Sequence, residues 1–190
     1  MALSVDNREG NPPANDALHV LDLRSGTLRR IGHDEFAYVT SQCWSPDGKE
    51  IVYTLNKPGV QTIRIYSMQQ GTSRDIASGP SSHNATWSPD GRWIAYSVYR
   101  PSATEDCAYF LIRPSGQEQR VLFRTDIIYR ELVWSPDSRF VAYAGYAPGS
   151  DELRLWVRRL EDGAEDWFAS LSETDVLSFQ WVQSRDLLKH

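Results

Sequence analysis

Apolar and polar positions alternate along this chain in short runs, and the runs recur as sets. "EIVYTL", "WIAYSV" and "FVAYAG" each follow a tight polar turn. A second group, "LHVLDL", "TIRIYSM", "AYFLIR" and "LRLWVR", comes after a proline-bearing loop, and a third, "AYVTSQCW", "SSHNATW", "IYRELVW" and "VLSFQW", ends in tryptophan. Alternating or continuously apolar runs rich in Val, Ile, Tyr and Trp, bounded by Gly, Pro, Asp and Ser, are the strand signature. No stretch keeps a helical period. The pattern predicts an all-β chain.

The sets repeat. "WSPDG" stands at Trp44, Pro46, Asp47 and Gly48 and again at Trp87, Pro89, Asp90 and Gly91; "WSPDS" follows at Trp134, Pro136 and Asp137, and Trp181 survives from a degraded copy. The tryptophans are 43, 47 and 47 residues apart, and turn glycines at Gly26, Gly71, Gly116 and Gly163 are 45, 45 and 47 apart. Two independent markers therefore keep one period. Four antiparallel strands per period predict the blades of a β-propeller.

The motif has a physical reading. Proline fixes φ for a type I turn, Asp and Gly suit the next positions, and the hydroxyl of Ser45, Ser88 or Ser135 can bond nearby backbone amides. The tryptophan before the turn is expected to fill the wedge between blades. Ser138, standing where two copies have glycine, is expected to weaken the third turn. Tyr53, Tyr96 and Tyr143 recur at one strand position and read as packing between blades.

Blade boundaries follow from the markers: a partial blade at 1–33, blades at about 36–78, 82–124 and 127–171, and a partial blade at 175–190. The set opens at a second strand, since "MALSV" parallels "IAYSV". Three arrangements fit: the last first-strand completes the first blade, two chains join head to tail into about eight blades, or the chain is part of a larger propeller. The third is the leading expectation.

Composition narrows the partners. The 190 residues suit one core; seven Trp and nine Tyr favour strands. A net charge of −5 argues against nucleic acid. Cys43 and Cys107 show no metal or disulfide spacing, and Cys43 reads as a small buried hydrophobe. The first residues lack a signal-peptide pattern and no run is long enough to span a membrane, so a soluble chain is expected, with an extracytoplasmic location open if it is part of an exported parent.

Catalytic chemistry is sparse. No nucleophile elbow, phosphate loop or zinc-protease motif occurs, and the four histidines fall in different repeats. No catalytic residue, metal or cofactor is therefore expected. Asp47, Asp90 and Asp137 read as turn formers, because one carboxylate per blade falls short of the roughly six to eight oxygens calcium takes. Asn84-Ala-Thr86 matches a glycosylation sequon, but its strand position argues against use. The loops from fourth to first and from second to third strands share one face of a propeller. His83, Tyr99, Arg100, Asp126, Arg130, Tyr146, Glu173 and Asp175 are the candidate ligand-binding residues there, on a mildly acidic surface suited to a basic or amphipathic segment.

"WSPDG" followed by "RWIAYSV" resembles the WD40-like repeat of TolB-type propellers, and the resemblance covers essentially the whole chain. It implies a propeller, often extracytoplasmic, and leaves the activity open. The leading expectation is a non-catalytic scaffold for a protein or peptide partner, binding on the loop face or at the channel mouth. The alternatives are the gating propeller of a prolyl-oligopeptidase-type serine peptidase and a propeller enzyme with a channel-mouth site.

Overall fold

The computed structural model describes residues 2–5, 17–31, 38–79, 81–99, 107–125, 132–147, 149–171 and 180–181. These form fifteen strands and no helix, so none is long and apolar enough to cross a membrane. The first sheet holds β1 (Ala2–Val5), β2 (Ala17–Leu21) and β3 (Leu28–Ile31). The second holds β4 (Tyr38–Trp44), β5 (Glu50–Lys57), β6 (Val60–Ser67) and β7 (Ser73–Gly79). The third holds β8 (Ser82–Trp87), β9 (Ile94–Tyr99), β10 (Cys107–Ile112) and β11 (Arg120–Thr125). The fourth holds β12 (Leu132–Trp134), β13 (Phe140–Tyr146), β14 (Leu153–Arg159) and β15 (Glu165–Leu171). Within each sheet the strands are antiparallel and lie in chain order.

The repeated turn between first and second strands is built the same way three times. The Gly48 N–H donates to Ser45 O at 2.9 Å, closing the turn. The Ser45 hydroxyl donates to Asp47 Oδ1 at 2.7 Å and accepts the Glu50 N–H at 2.9 Å. Ser88 does this with Asp90 at 2.6 Å and Trp93 at 3.0 Å, and Ser135 with Asp137 at 2.6 Å and Phe140 at 2.9 Å. Each buried serine is thus satisfied as donor and acceptor. The third turn closes with Ser138 N–H to Ser135 O at 2.9 Å even though Ser138 stands at φ 60°. Its hydroxyl accepts the Asp90 N–H from the neighbouring turn at 2.9 Å, a contact that glycine cannot make.

The core lies between sheets. Leu18, Val20 and Ile31 of the first pack on Ile51, Tyr53 and Leu55 of the second. Ile63, Ile65 and Ile76 of the second pack on Trp87, Ile94 and Tyr96 of the third. Tyr109, Leu111 and Leu122 of the third meet Trp134, Val141 and Tyr143 of the fourth. There Phe123 stacks between Tyr109 and Tyr143, with ring centroids 4.6 and 3.9 Å away. Tyr53, Tyr96 and Tyr143 are all buried in these inter-sheet clusters. The Tyr143 hydroxyl donates to Glu165 at 2.6 Å; burial first, then this carboxylate, pushes its pKa above the ordinary value.

Candidate functional site

The loop-face residues separate once placed. The Tyr99 N–H donates to Ser81 O at 2.8 Å, and the Ser81 hydroxyl lies 2.9 Å from His83 Nε2, so His83 and Tyr99 form one unit beside the start of β8. Burial pushes the His83 imidazole below its ordinary pKa, which favours the neutral ring. Tyr146 packs instead with Ala144, Leu153 and Leu171 on the fourth sheet. Arg100, Asp126, Arg130, Glu173 and Asp175 lie outside the described residues. Glu152, one of the face's acidic groups, is engaged at home: it accepts from Arg154 at 2.5 Å and from the Ser170 hydroxyl. Those bonds hold its carboxyl below the usual range and occupy the charge that a basic partner would meet.

The first strands supply what the loop residues do not. β4, β8 and β12 converge on a cleft of about 400 Å³ lined by Ser41, Gln42, Cys43, Asn84, Ala85, Thr86 and Leu132. Two of its walls are bulged. On β4, Thr40 pairs with Thr54 and Gln42 with Tyr53, so Ser41 stands opposite no residue. On β8, His83 pairs with Ser97 and Thr86 with Ala95, so Asn84 and Ala85 share one position opposite Tyr96. Ser41 and Asn84 adopt φ 37° and 55°, the left-handed region that costs most residues with a side chain about 1–2 kcal/mol and asparagine less. A bulge re-aims side chains and interrupts the ladder, and both bulged residues, Ser41 and Asn84, stand on the cleft wall.

Both bulges stand three residues before a motif tryptophan, at Trp44 and Trp87. Glu131 and Ser178 hold the same place in the third and fourth repeats, outside the described residues. Ser41 is steadied by Thr54, hydroxyl to hydroxyl at 2.9 Å, and Thr40 accepts from Asn56 Nδ2 at 2.9 Å. The Thr86 hydroxyl points at Cys43 Sγ, 3.8 Å away across the two sheets. Cys43 is half-buried on the cleft wall, where the sequence pointed to a buried hydrophobe. Asn84 of the sequon sits on this wall too, in the interior of the first-strand layer.

The wall is neutral. It offers hydroxyls, amides and a thiol, with no carboxylate or imidazole among its lining side chains. Asp47, Asp90 and Asp137 sit at the separate turns, each bonded to its own serine; for Asp47 and Asp137 that hydroxyl leads the causes lowering the carboxyl's pKa. Among the described residues no three His, Cys, Asp or Glu side chains are grouped to hold a metal ion. The loop reading did not single out Ser41, Gln42 or Thr86; the signal the sequence offers is that Ser41 and Asn84 each stand three residues before a motif tryptophan.

Four antiparallel sheets of this build, each packed face to face on the next, make a β-propeller. No protein-family model and no curated protein matches the chain. Solved structures do match, and the fold is TolB-like. The chain is similar to a putative TolB from Agrobacterium tumefaciens, at 22% identity and a TM-score of 0.68 over 90% of this chain and 61% of that one. It is similar to an oligogalacturonate lyase from Vibrio parahaemolyticus, at 12% identity and a TM-score of 0.66 over 82% of this chain and 48% of that one. It is also similar to the β-propeller domain of the Trilobed protease from Pyrococcus furiosus, at 18% identity and a TM-score of 0.63 over 90% of this chain and 53% of that one. The chain spans less than two thirds of each. At such identities the likeness is one of fold.

Proposed function

We propose that the chain is a non-catalytic propeller scaffold that receives a protein or peptide segment at the mouth of its first-strand cleft. One observation carries this reading: adjacent blades spend left-handed backbone at Ser41 and Asn84 to line a neutral, hydrogen-bonding cleft. Strain of this kind clusters at functional sites. Hydroxyls, amides and interrupted ladder positions match the alternating donors and acceptors of a peptide main chain. The loop face would then add side-chain contacts, with His83 and Tyr99 beside the entrance and Glu173 and Asp175 drawing basic residues.

Panning short unstructured peptides on the full chain tests this. Retained peptides should lose at least about tenfold in affinity on Gln42→Trp, which narrows the cleft at a position outside the left-handed region. They should weaken also with Glu173→Lys and Asp175→Lys together. Retention indifferent to all three changes would overturn the reading.

The match to a protease's propeller favours a second reading, a gating propeller for a peptidase domain. A gate admits peptides without holding them. Failure of every peptide to be retained would move the balance to that reading. An enzymatic role, suggested by the lyase match, predicts turnover of an oligosaccharide by the chain itself.

A further inference from the structure

Three repeat positions meet at the turn end of each complete blade. Six residues after the motif tryptophans stand Glu50, Trp93 and Phe140. At the end of the third strand, Ser67 lies opposite Glu50, Arg159 opposite Phe140, and Arg113 one step past the Ile94–Ile112 pair. On the fourth strand, two residues before the register shift on β7 and β11, Arg74 lies opposite Ile65 and Arg120 opposite Leu111. Asp166, opposite Val157, holds that place on β15.

Charge balances across these positions in two of the sheets. In the second, Arg74 meets Glu50 at 2.7 Å and the third member is the neutral Ser67. In the fourth, Arg159 and Asp166 carry opposite charges, Phe140 is neutral, and Arg159 is also held by Asp162 at 2.9 Å. The third sheet breaks the pattern. Trp93 stands where a carboxylate answers the arginine one blade earlier, and Arg113 brings a second positive charge. The two guanidinium carbons lie 3.8 Å (Arg113) and 5.2 Å (Arg120) from the centroid of the Trp93 ring.

Arg113 is fixed in this place. Its Nε donates to Glu118 Oε2 at 2.9 Å and its Nη1 to Arg92 O at 3.3 Å. Glu118 makes its bond from φ 51°, a left-handed position that few residues other than glycine take. Arg120 is exposed, as is Arg92 beside the ring, and neither has an ion pair among the described residues. The carboxylate of this blade's motif turn, Asp90, is taken up by the Ser88 hydroxyl at 2.6 Å and the Arg92 N–H at 3.0 Å.

We infer that Arg113 and Arg120, held over Trp93, form a docking site for an acidic segment of a partner protein. The indole face attracts both cations, yet like charges over one ring repel each other. A carboxylate laid against their planar forks offsets that repulsion and forms paired N–H···O bonds. Arg113 is already ordered by Glu118 and the ring, so little rotamer freedom remains to be lost on binding. A short run of carboxylates fits better than a nucleic acid, whose continuous phosphates would meet the rest of a chain of net charge −5. The inference goes beyond the cleft reading and stands or falls separately from it.

Fluorescence anisotropy of a labelled hexaglutamate peptide, titrated with the full chain at low salt, tests it. Saturable binding is expected, and Arg120→Gln should weaken it by about tenfold or more, the effect of losing one charge-assisted contact. Arg24→Gln is the control: Arg24 is exposed at the β2–β3 turn with no ring contact among the described residues, so the same loss of charge should leave the affinity unchanged. Circular dichroism should be the same for all three chains. No saturable binding, equal losses from the two substitutions, or tighter binding of an oligothymidylate of the same charge each overturns the proposal.

Discussion

The backbone N–H of Asp90 donates to the Ser138 hydroxyl at 2.9 Å, tying the turn of one blade to the turn of the next. Ser138 pays for its place with φ 60°, where glycine stands in the two preceding copies. Left-handed strain there costs about 1–2 kcal/mol, while a typical hydrogen bond contributes about 0.5–1.5 kcal/mol. The two nearly offset. Ser138→Ala keeps the strain and loses the bond, so urea unfolding should show a loss of about 1 kcal/mol. Ser138→Gly loses both and should fall within about 1 kcal/mol of the wild type.

Trp87 is buried between the second and third sheets, and its indole N–H has no hydrogen-bond partner among the described residues. Its contribution is therefore ring volume rather than the polar handle. Trp87→Ala should destabilise by about 3–5 kcal/mol in denaturant titration. Trp87→Phe, which keeps an aromatic ring and removes the unpaired donor, should cost less than half of that.

The two thiols should differ in reactivity. Cys107 is buried and its pKa is pushed up to about 11 by desolvation. Cys43 is half-buried on the cleft wall. A maleimide at neutral pH should modify Cys43 alone in the native chain and both residues in urea, read by mass spectrometry.

Burial depresses the His83 pKa from its ordinary 6.5, so the unfolded chain binds the proton more readily. The stability that follows from keeping the ring neutral is fully present above pH 6.5 and declines as the pH falls below that value toward the folded pKa. Urea midpoints compared well above and well below pH 6.5 should drop for the wild type as the pH falls and drop less for His83→Gln.

The fold was legible because the turn chemistry is local. Trp, Ser, Pro and Asp within a few residues specify a turn whatever surrounds them, and the strands between them follow from alternation alone. The strain expected at Ser138 is present as φ 60°, but its compensation was not legible, because it comes from another blade, which no local rule reports. The bulge at Ser41 was hidden for a related reason: serine does not mark positive φ, and only the matching position of Asn84, a residue that tolerates the left-handed region, hints at it.

The claim that the first-strand cleft is where a partner binds has a direct test in Cys43 itself. A labelled peptide selected on the full chain should be followed by fluorescence anisotropy before and after maleimide modification of Cys43, which fills the cleft from its own wall. Loss of binding on modification is the predicted result. Undiminished binding to the modified chain would contradict it and move the site to the outer surface of the propeller.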